Sequence, residues 1–295
     1  MTARRRLVRV PASSANLGPG FDSFAAALSL TLELEVTEAD EFSIDVGNLE
    51  VPADRENLCV KAFESLKPVE GVAFRITSEI PVVGGLGSSA AATVAGLLAA
   101  DHLYELALEP AEILSRAAEM EGHADNAAAS LYGGFVICDP PGEDGAVSVT
   151  RLAVPDGIEG ILVIPSGDPV PTAQARDALP DEVPLEEASG NLAAASRLAL
   201  GIERSDPSLI AAGLSDRLHQ PRREHLYPRS MEIVEAAPDL GALGATISGA
   251  GPTVLVWSRF EETGDVMAAL RERVEGWAEA RRVVFSPTGA DVPEL

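Results

Sequence analysis

Hydrophobic and polar residues alternate in several short segments of the chain, with the period of two that is typical of half-buried β-strands. Leu32, Leu34 and Val36 are separated by polar residues, and Phe42, Ile44 and Val46 repeat the pattern a few positions later. Alternation elsewhere, or a short apolar run, predicts further strands at 7–10, 72–76, 133–138, 147–154, 161–164, 245–247, 254–257 and 283–285.

Other stretches carry hydrophobic residues at helical spacing, which predicts helices at 57–66, 91–104, 110–121, 188–202, 206–219 and 229–237, and one more around 266–277. Strands and helices are mixed without strict alternation, which favours an α+β fold over a doubly wound sheet. The turn at 155–157 divides the chain into two predicted domains, 1–156 and 157–295. Residues 11–20 are expected to form a loop, and the segment after Pro287 is expected to be frayed.

The composition predicts a soluble protein with a sizeable core, because 46% of the 295 residues are hydrophobic. The formal net charge of −24 disfavours nucleic acid and anionic membranes as partners, so neither is predicted. The two cysteines, Cys59 and Cys138, are expected to be small core residues rather than a disulfide or metal pair. The apolar stretch near the start is too short for a signal peptide, and no run of 18 apolar residues exists, so a cytoplasmic protein is predicted.

A glycine-rich segment lies between the strand at 72–76 and the helix at 91–104. It reads Pro81-Val82-Val83-Gly84-Gly85-Leu86-Gly87-Ser88-Ser89-Ala90-Ala91. Its glycines permit positive φ and let backbone N–H groups approach a ligand, and the helix start contributes about half a positive charge. Together these features predict an anion site, most naturally for phosphate. No lysine follows the glycines as it does in a Walker A loop. The alternative is a tight turn in which a serine caps the helix.

This segment resembles the second motif of the GHMP kinases, the family of the galactokinases, homoserine kinases, mevalonate kinases and phosphomevalonate kinases. Two other stretches resemble the first and third motifs of the family, Pro-Ala-Ser-Ser-Ala-Asn-Leu-Gly-Pro-Gly-Phe-Asp at 11–22 and Ser-Gly-Ala-Gly-Pro-Thr at 248–253. The first motif is most similar to that of the homoserine kinases. The three motifs follow the family order and span nearly the whole chain, so their joint match is specific.

The resemblance implies an N-terminal domain like the second domain of ribosomal protein S5 and a ferredoxin-like C-terminal domain, with the substrates in the cleft between them. It implies that the γ-phosphate of MgATP is transferred to the side-chain hydroxyl of L-homoserine, giving O-phospho-L-homoserine for threonine synthesis. ATP and Mg²⁺ are therefore the expected cofactors. Another GHMP small-molecule kinase and a catalytically silent ligand sensor are the alternatives. The oligomeric state is open, and a homodimer is compatible with the sequence.

The resemblance also assigns residues to the nucleotide and the metal. Residues 81–91 are expected to bind the ATP phosphates, and Asn57 the base, although Asn57 is equally suited to cap a helix. Ser89 and Glu121 are the expected metal ligands, with Ser88 and Glu119 as the competing choices. Some homoserine kinases carry a lysine just before the glycine loop, where this chain has Ser-Glu at 78–79, which places one phosphate or base contact in doubt.

The acceptor residues implied by the resemblance are Asn16, Asp22, His123, Asp125, Asn126, Thr172, Arg176 and Arg223. Asp22 offers a counter-charge for an α-ammonium group, and the arginines suit bidentate carboxylate binding. Asp125, Asn126 and Arg176 are the expected catalytic residues, with direct transfer to the acceptor and no strong general base. Taken singly, each of these side chains has an ordinary alternative as a turn residue, a helix cap or a solvated surface group.

Overall fold

The computed structural model describes residues 3–82, 84–140, 142, 145–167 and 170–294. Val83, one of the residues expected to bind ATP, lies outside the described residues. The described chain forms two β-sheets with helices packed against them. None of the described helices combines the length and the hydropathy that a membrane span requires.

The first sheet is built from the N-terminal half. Its strands are β1 (Arg5–Ala15), β2 (Phe24–Glu38), β3 (Ser43–Asp45), β4 (Val72–Ser78), β5 (Phe135–Cys138) and β6 (Val149–Leu152). The order is β3-β4-β2-β5-β6, and β1 also pairs with β2. Leu34 lies opposite Ile76 and Val36 opposite Phe74, so the alternation seen in the sequence sets the register of β2 on β4.

Four helices accompany this sheet: α1 (Leu58–Glu64), α2 (Ser88–Tyr104), α3 (Pro110–Glu121) and α4 (Asp125–Tyr132). The central helix α2 is rich in alanine because it is buried on most of its circumference. A Cβ at Gly96 would lie 2.2 Å from the carbonyl oxygen of Cys59, so only glycine lets α1 pack this closely. Cys59 and Cys138 are buried and free, and burial raises the pKa of each thiol to about 12.

The second sheet contains β7 (Ile158–Pro165), β8 (Gly244–Ile247), β9 (Val254–Arg259) and β10 (Ala278–Val283). Its order is β10-β7-β9-β8, with every neighbouring pair antiparallel, which is the strand arrangement of a ferredoxin-like domain. The helices here are α5 (Thr172–Asp177), α6 (Leu185–Arg204), α7 (Pro207–Gly213), α8 (Gln220–Arg223), α9 (Pro228–Ala236) and α10 (Thr263–Arg273). Two 3₁₀ turns, at Glu224–Leu226 and Ala237–Leu240, flank α9.

The two sheets share a hydrophobic core at their junction. The rings of Phe135, Trp257 and Phe285 contact one another, with centroid separations of 4.8–5.7 Å. Because Phe135 belongs to the first sheet and Trp257 to the second, this aromatic cluster fixes the two halves against each other. The predicted domain division falls between β6 and β7, where the chain passes from one sheet to the other. That the two halves are independent domains stays a prediction.

Several predictions about individual elements are wrong. The sequence predicts a loop at 11–20, but β1 continues to Ala15 after a bulge between Pro11 and Ala12. This extension is buried on both faces, so it lacks the alternation that reveals a half-buried strand. The short helices α4 and α5 are not among the predicted elements, and the helix expected at 206–219 ends at Gly213.

The C-terminal segment also differs from expectation. The last strand is β10, and Phe285 forms only an isolated bridge with Leu28. The tail beyond Pro287 is packed rather than frayed, because Asp291 pairs with Arg9 in an antiparallel bridge. A Cβ at Gly133 would lie 2.2 Å from the backbone of Thr288, which shows how closely the tail approaches the sheet.

Candidate active site

The three glycine-containing motifs meet at a cavity of about 430 Å³ between the two sheets. Its lining comes from the first motif, the glycine loop, residues 123–126, the start of α5, Arg223 and residues 249–251. These segments are far apart in the sequence and are brought together by the shared core. The cavity therefore combines the predicted phosphate site with all eight of the predicted acceptor residues.

The glycine loop is held in place by the other two motifs. Ser248 Oγ donates a hydrogen bond of 2.6 Å to the carbonyl oxygen of Gly85, and Ser13 N donates one of 3.1 Å to that of Leu86. A Cβ at Gly85 would lie 2.1 Å from Ser248 O, and one at Gly87 would lie 2.0 Å from Ser13 Oγ. Both glycines also have positive φ, so this backbone path requires glycine at each position.

Helix α2 begins directly at this loop and points its N-terminus at the cavity. Gly87 is its N-cap, and no side chain caps the helix, so the alternative of a serine cap is wrong. The first N–H groups of the helix are thus left for an anion, beside the positive end of the helix dipole. Ala90 and Ala91 are among the predicted ATP-binding residues, but both are fully buried. They line neither this cavity nor the smaller cavity beside the glycine loop that is described below.

The predicted metal ligands lie together at the edge of the loop. Ser89 Oγ donates a hydrogen bond of 2.6 Å to one carboxylate oxygen of Glu121, and Thr93 Oγ1 donates one of 2.7 Å to the other. These oxygen donors suit Mg²⁺, which takes few protein ligands and completes its shell with phosphate and water oxygens. Ser88 has no such contact with Glu121 in the structure, and Glu119 is exposed on α3.

Asp22 and Arg176 form a bidentate ion pair across the cavity, with both N–O distances 2.9 Å. Asp22 ends the first motif with a positive φ of 52°, and Arg176 lies on α5, whose first residue, Thr172, also lines the cavity. The pKa of Arg176 is raised chiefly by its hydrogen bond with Asp22. The two charges expected to bind opposite ends of an amino acid thus bind each other here.

Arg223 is 2% exposed and lines the cavity. Within the part of the chain that the structure describes, it has no ion-pair partner, and its Nε donates to the carbonyl oxygen of Ala175 at 2.8 Å. Burial lowers its pKa, because removal of the guanidinium from water disfavours the charged form. Arg222 instead forms an ion pair with Glu187 and is not among the residues that line the cavity, whereas Arg223, the arginine that the resemblance implies, is.

Asn16 lines the cavity, but its side-chain amide is bonded to the protein rather than free for a substrate. Its Nδ2 donates to the carbonyl oxygen of Gly249 at 2.8 Å, and its Oδ1 accepts from the backbone N–H of Asp22 at 2.9 Å. It lines the cavity but is 4% exposed, with its amide bonded to the protein. Asn16 therefore connects the first and third motifs and orients Asp22.

His123, Asp125 and Asn126 lie at the start of α4. Asp125 is 2% exposed, accepts the backbone N–H of Asn126 at 2.7 Å, and has one oxygen 3.1 Å from His123 Nδ1. This contact with Asp125 is the main reason that the pKa of His123 is raised. Asn126 Oδ1 accepts a hydrogen bond of 2.9 Å from Ser13 Oγ. The only carboxylate of this group is thus engaged by its neighbours.

A second cavity of about 240 Å³ adjoins the glycine loop and has a largely apolar wall that includes Leu32, Ile76 and Ala92. Asn57 borders it, but its Oδ1 caps α1 by accepting from Cys59 N, and its Nδ2 donates to Pro52 O. Its apolar wall and its position beside the loop suit the base of a nucleotide whose phosphates lie on the loop. Direct recognition of the base by the Asn57 side chain is disfavoured, because both ends of its amide are already bonded.

Sequence reasoning missed several side chains of the site. The ring of Phe21 lies under both guanidinium groups, 5.8 Å from Arg176 and 5.5 Å from Arg223. Thr93 shares Glu121 with Ser89, four residues earlier on the same face of α2, and that spacing was a usable signal. Residues 249–251 of the third motif also line the cavity.

The fold and this site define a small-molecule kinase of the GHMP type. The family model of the GHMP kinases N terminal domain matches residues 57–134, and that of the GHMP kinases C terminal domain matches residues 198–276. The relatives identify the branch of the family. Homoserine kinase of Moorella thermoacetica is 37% identical over 273 residues, 89% of this chain and 91% of the relative. A homoserine kinase of Thermus thermophilus is 39% identical over 272 residues, 88% of this chain and 89% of the relative.

The crystal structure of homoserine kinase from Cytophaga hutchinsonii superposes with a TM-score of 0.87 at 30% identity, covering 98% of this chain and 97% of that one. The chain belongs to the homoserine kinases of the GHMP kinase family. The resemblance found in the three motifs is thereby confirmed, and so is the α+β GHMP kinase fold that it implied.

Proposed function

We propose that this protein transfers the γ-phosphate of MgATP to the side-chain hydroxyl of L-homoserine, giving O-phospho-L-homoserine for threonine synthesis. One observation carries the proposal beyond family membership. A carboxylate, Asp22, and two guanidinium groups, Arg176 and Arg223, lie together in the cavity that the glycine loop borders. This is the charge arrangement that an α-amino acid requires beside a phosphate site.

The Asp22–Arg176 pair explains why the acceptor must be a zwitterion. An α-ammonium group takes the place of Arg176 at Asp22, and an α-carboxylate takes the place of Asp22 at Arg176. A molecule with only one of these charges breaks the bidentate pair and leaves the other partner uncompensated, which is costly for charged groups. Arg223 adds a second positive charge, already desolvated, for the acceptor carboxylate or the transferred phosphate.

The nucleotide lies with its phosphates on the loop and its base in the smaller cavity. The chain carries a net charge of −24, so binding a polyanion requires local positive potential. The N-terminus of α2, Arg176 and Arg223 supply that potential. When bound, Mg²⁺ neutralises charge on the β- and γ-phosphates, and Ser89 and Glu121 are the residues that would hold it.

The acceptor proton leaves without a strong general base. Asp125 is the carboxylate of the 123–126 segment, and it is buried, bonded to a backbone N–H and close to His123. Both contacts are made by the same oxygen, Oδ1, and the side chain is only 2% exposed, so the carboxylate is held by its neighbours rather than free to reach the acceptor. Because phosphoryl transfer passes through a loose transition state, positioning and charge stabilisation contribute more than proton removal. The proton therefore passes to phosphate or solvent.

The test is a coupled assay of ADP release with MgATP and L-homoserine, L-threonine, mevalonate, galactose or no acceptor. Turnover with L-homoserine well above the rest is expected. Preferential turnover of mevalonate or galactose would contradict the acceptor assignment while retaining the kinase. ATP binding without turnover of any acceptor would indicate a ligand sensor and contradict the proposal altogether.

A further inference from the structure

His219 is a fully buried histidine that lies behind the wall of the cavity, directly before α8. Its ring contacts two different parts of the site. Nε2 lies 2.8 Å from the carbonyl oxygen of Gly18 in the first motif, and Nδ1 lies 3.3 Å from Nη1 of Arg223. A carbonyl oxygen can only accept a hydrogen bond and a guanidinium group can only donate one. Nε2 must therefore carry the ring proton, and Nδ1 must be the acceptor.

The hydrogen-bond acceptors that hold Arg223 are uncharged. Besides Nδ1 of His219, they are the carbonyl oxygens of Ala175 at 2.8 Å and Gly249 at 3.5 Å. Such acceptors fix the direction of the guanidinium group and leave its positive charge uncompensated, available to an anionic group in the cavity. A carboxylate in the place of the imidazole would also fix the guanidinium group, but it would cancel the charge.

The surroundings keep the imidazole of His219 neutral. Burial lowers its pKa, and the positive charge of Arg223 acts in the same direction. Asp216, with Oδ2 3.4 Å from Nε2, the Gly18 carbonyl and the charge of Asp22 act in the opposite direction without reversing the shift. Asp216 also accepts backbone N–H groups of residues 218–220 at 2.6–3.0 Å, which stabilise its charge. A protonated ring would lose its acceptor nitrogen and repel the guanidinium group.

We propose that His219 is a positioning residue for the acceptor, because its neutral ring orients Arg223 and connects that guanidinium group to the first motif, which carries Asp22. The ring of Phe21 strengthens the connection, since its centroid lies 5.4 Å from that of His219 and 5.5 Å from the guanidinium carbon of Arg223. The groups that meet opposite charges of the amino acid thus keep a fixed separation. The inference rests on the proposed function, since it requires an acceptor with an anionic group.

Two amide substitutions separate the two contacts of the ring. The side-chain oxygen of asparagine can take the place of Nδ1, so His219→Asn keeps an acceptor for Arg223 and loses the donor to Gly18. The side-chain nitrogen of glutamine can take the place of Nε2, so His219→Gln keeps the donor and loses the acceptor. Both variants place a neutral amide in the same buried position, so each is the matched control for the other.

The measurement is kcat and KM for L-homoserine and for ATP, together with Tm, for the full-length protein. His219→Gln should lower kcat/KM for L-homoserine at least about tenfold, mainly through KM, because a hydrogen bond to a charged group is lost. Its KM for ATP should change less than about threefold. His219→Asn should lose less than about threefold in kcat/KM even where its Tm falls as far. His225→Gln, at an exposed histidine, should resemble the wild type.

Equal losses in the two His219 variants, a larger loss in His219→Asn, or no loss in either would overturn the proposal and leave the ring only a structural anchor. If neither variant folds, ¹⁵N NMR of the wild-type protein labelled at its four histidines decides. The histidine whose ring N–H exchanges most slowly should be the neutral Nε2–H form at about pH 6. An imidazolium or an Nδ1–H form there would contradict the inference. A wild type that does not phosphorylate L-homoserine would contradict the proposed function instead, and the NMR result does not depend on it.

Discussion

The replacement Asp22→Asn tests whether this carboxylate recognises the α-ammonium group of the acceptor. In the structure Asp22 is paired with Arg176 through two contacts of 2.9 Å, so its substitution also removes the partner of Arg176. A simple loss of activity would not distinguish these two roles. The distinction requires a second acceptor that lacks only the ammonium group, and 4-hydroxybutanoate, which keeps the hydroxyl and the carboxylate, meets that requirement.

The expected magnitude follows from the environment of the pair. Hydrogen bonds to charged groups contribute about 1.5–3 kcal/mol. Asp22 is 39% exposed and Arg176 is 41% exposed, so solvent screening favours the lower part of that range. About 2 kcal/mol corresponds to roughly a 30-fold effect on kcat/KM. The wild-type enzyme should prefer L-homoserine over 4-hydroxybutanoate by at least about that factor.

The assay measures kcat/KM for both acceptors with the wild-type protein and with Asp22→Asn. If Asp22 binds the ammonium group, the substitution lowers kcat/KM for L-homoserine about 30-fold and abolishes most of the preference. Asp177→Asn is the matched control, because it removes an exposed negative charge on the same helix as Arg176. An equal loss with both acceptors would refute the reasoning and assign Asp22 only to the support of Arg176.

Three further predictions concern the metal, the loop and the dependence on pH. Glu121→Gln should raise the Mg²⁺ concentration for half-maximal activity at least tenfold, whereas Glu119→Gln should not; equal effects would contradict the metal site. Gly85→Ala should lower both Tm and ATP affinity because its Cβ would overlap a backbone oxygen, and Gly264→Ala, at an open position, serves as the control. His123 has a raised pKa, so its ionised form stabilises the folded state below about pH 6.5, and this contribution disappears as pH rises through the folded-state pKa. Thermal denaturation should therefore show a larger Tm difference between the wild type and His123→Gln at pH 6 than at pH 8.5. A difference that does not change with pH would contradict this role of the His123 charge.

The anion-binding loop could be predicted from the sequence because its determinants, glycines that permit positive φ and a helix start, lie within a few positions. Ser89 and Glu121 were assigned as metal ligands only through the family resemblance, since an acidic residue at a helix end is not distinctive by itself. Ser89 and Glu121 then meet because α2 and α3 are neighbouring helices. By contrast, the ion pair of Asp22 with Arg176 joins residues 154 positions apart, and no local pattern indicates that the two side chains share a cavity.

Long-range packing also explains the wrong element predictions. The end of β1 is buried on both sides, and small residues fill both faces, so its sequence has the appearance of a loop. The C-terminal tail contains Pro, Gly and Asp, which favour disorder locally, but it pairs with Arg9 of β1. The tail is thus fixed by a strand from the other end of the chain, whereas the end of β1 is fixed by its pairing with β2 and by backbone hydrogen bonds to Leu86 and Gly249.

Asn16 shows why a residue can be correctly placed at a site and yet have a different role from the one assumed. The sequence identifies an amide with free donor and acceptor groups, and the family resemblance places it near the acceptor. In the folded chain the donor is bonded to Gly249 and the acceptor to the N–H of Asp22. In the proposed binding mode Asn16 therefore acts through Asp22, whose backbone has a positive φ that the hydrogen bond helps to maintain. That binding mode requires the junction of the first and third motifs as well as the side chains that face the acceptor.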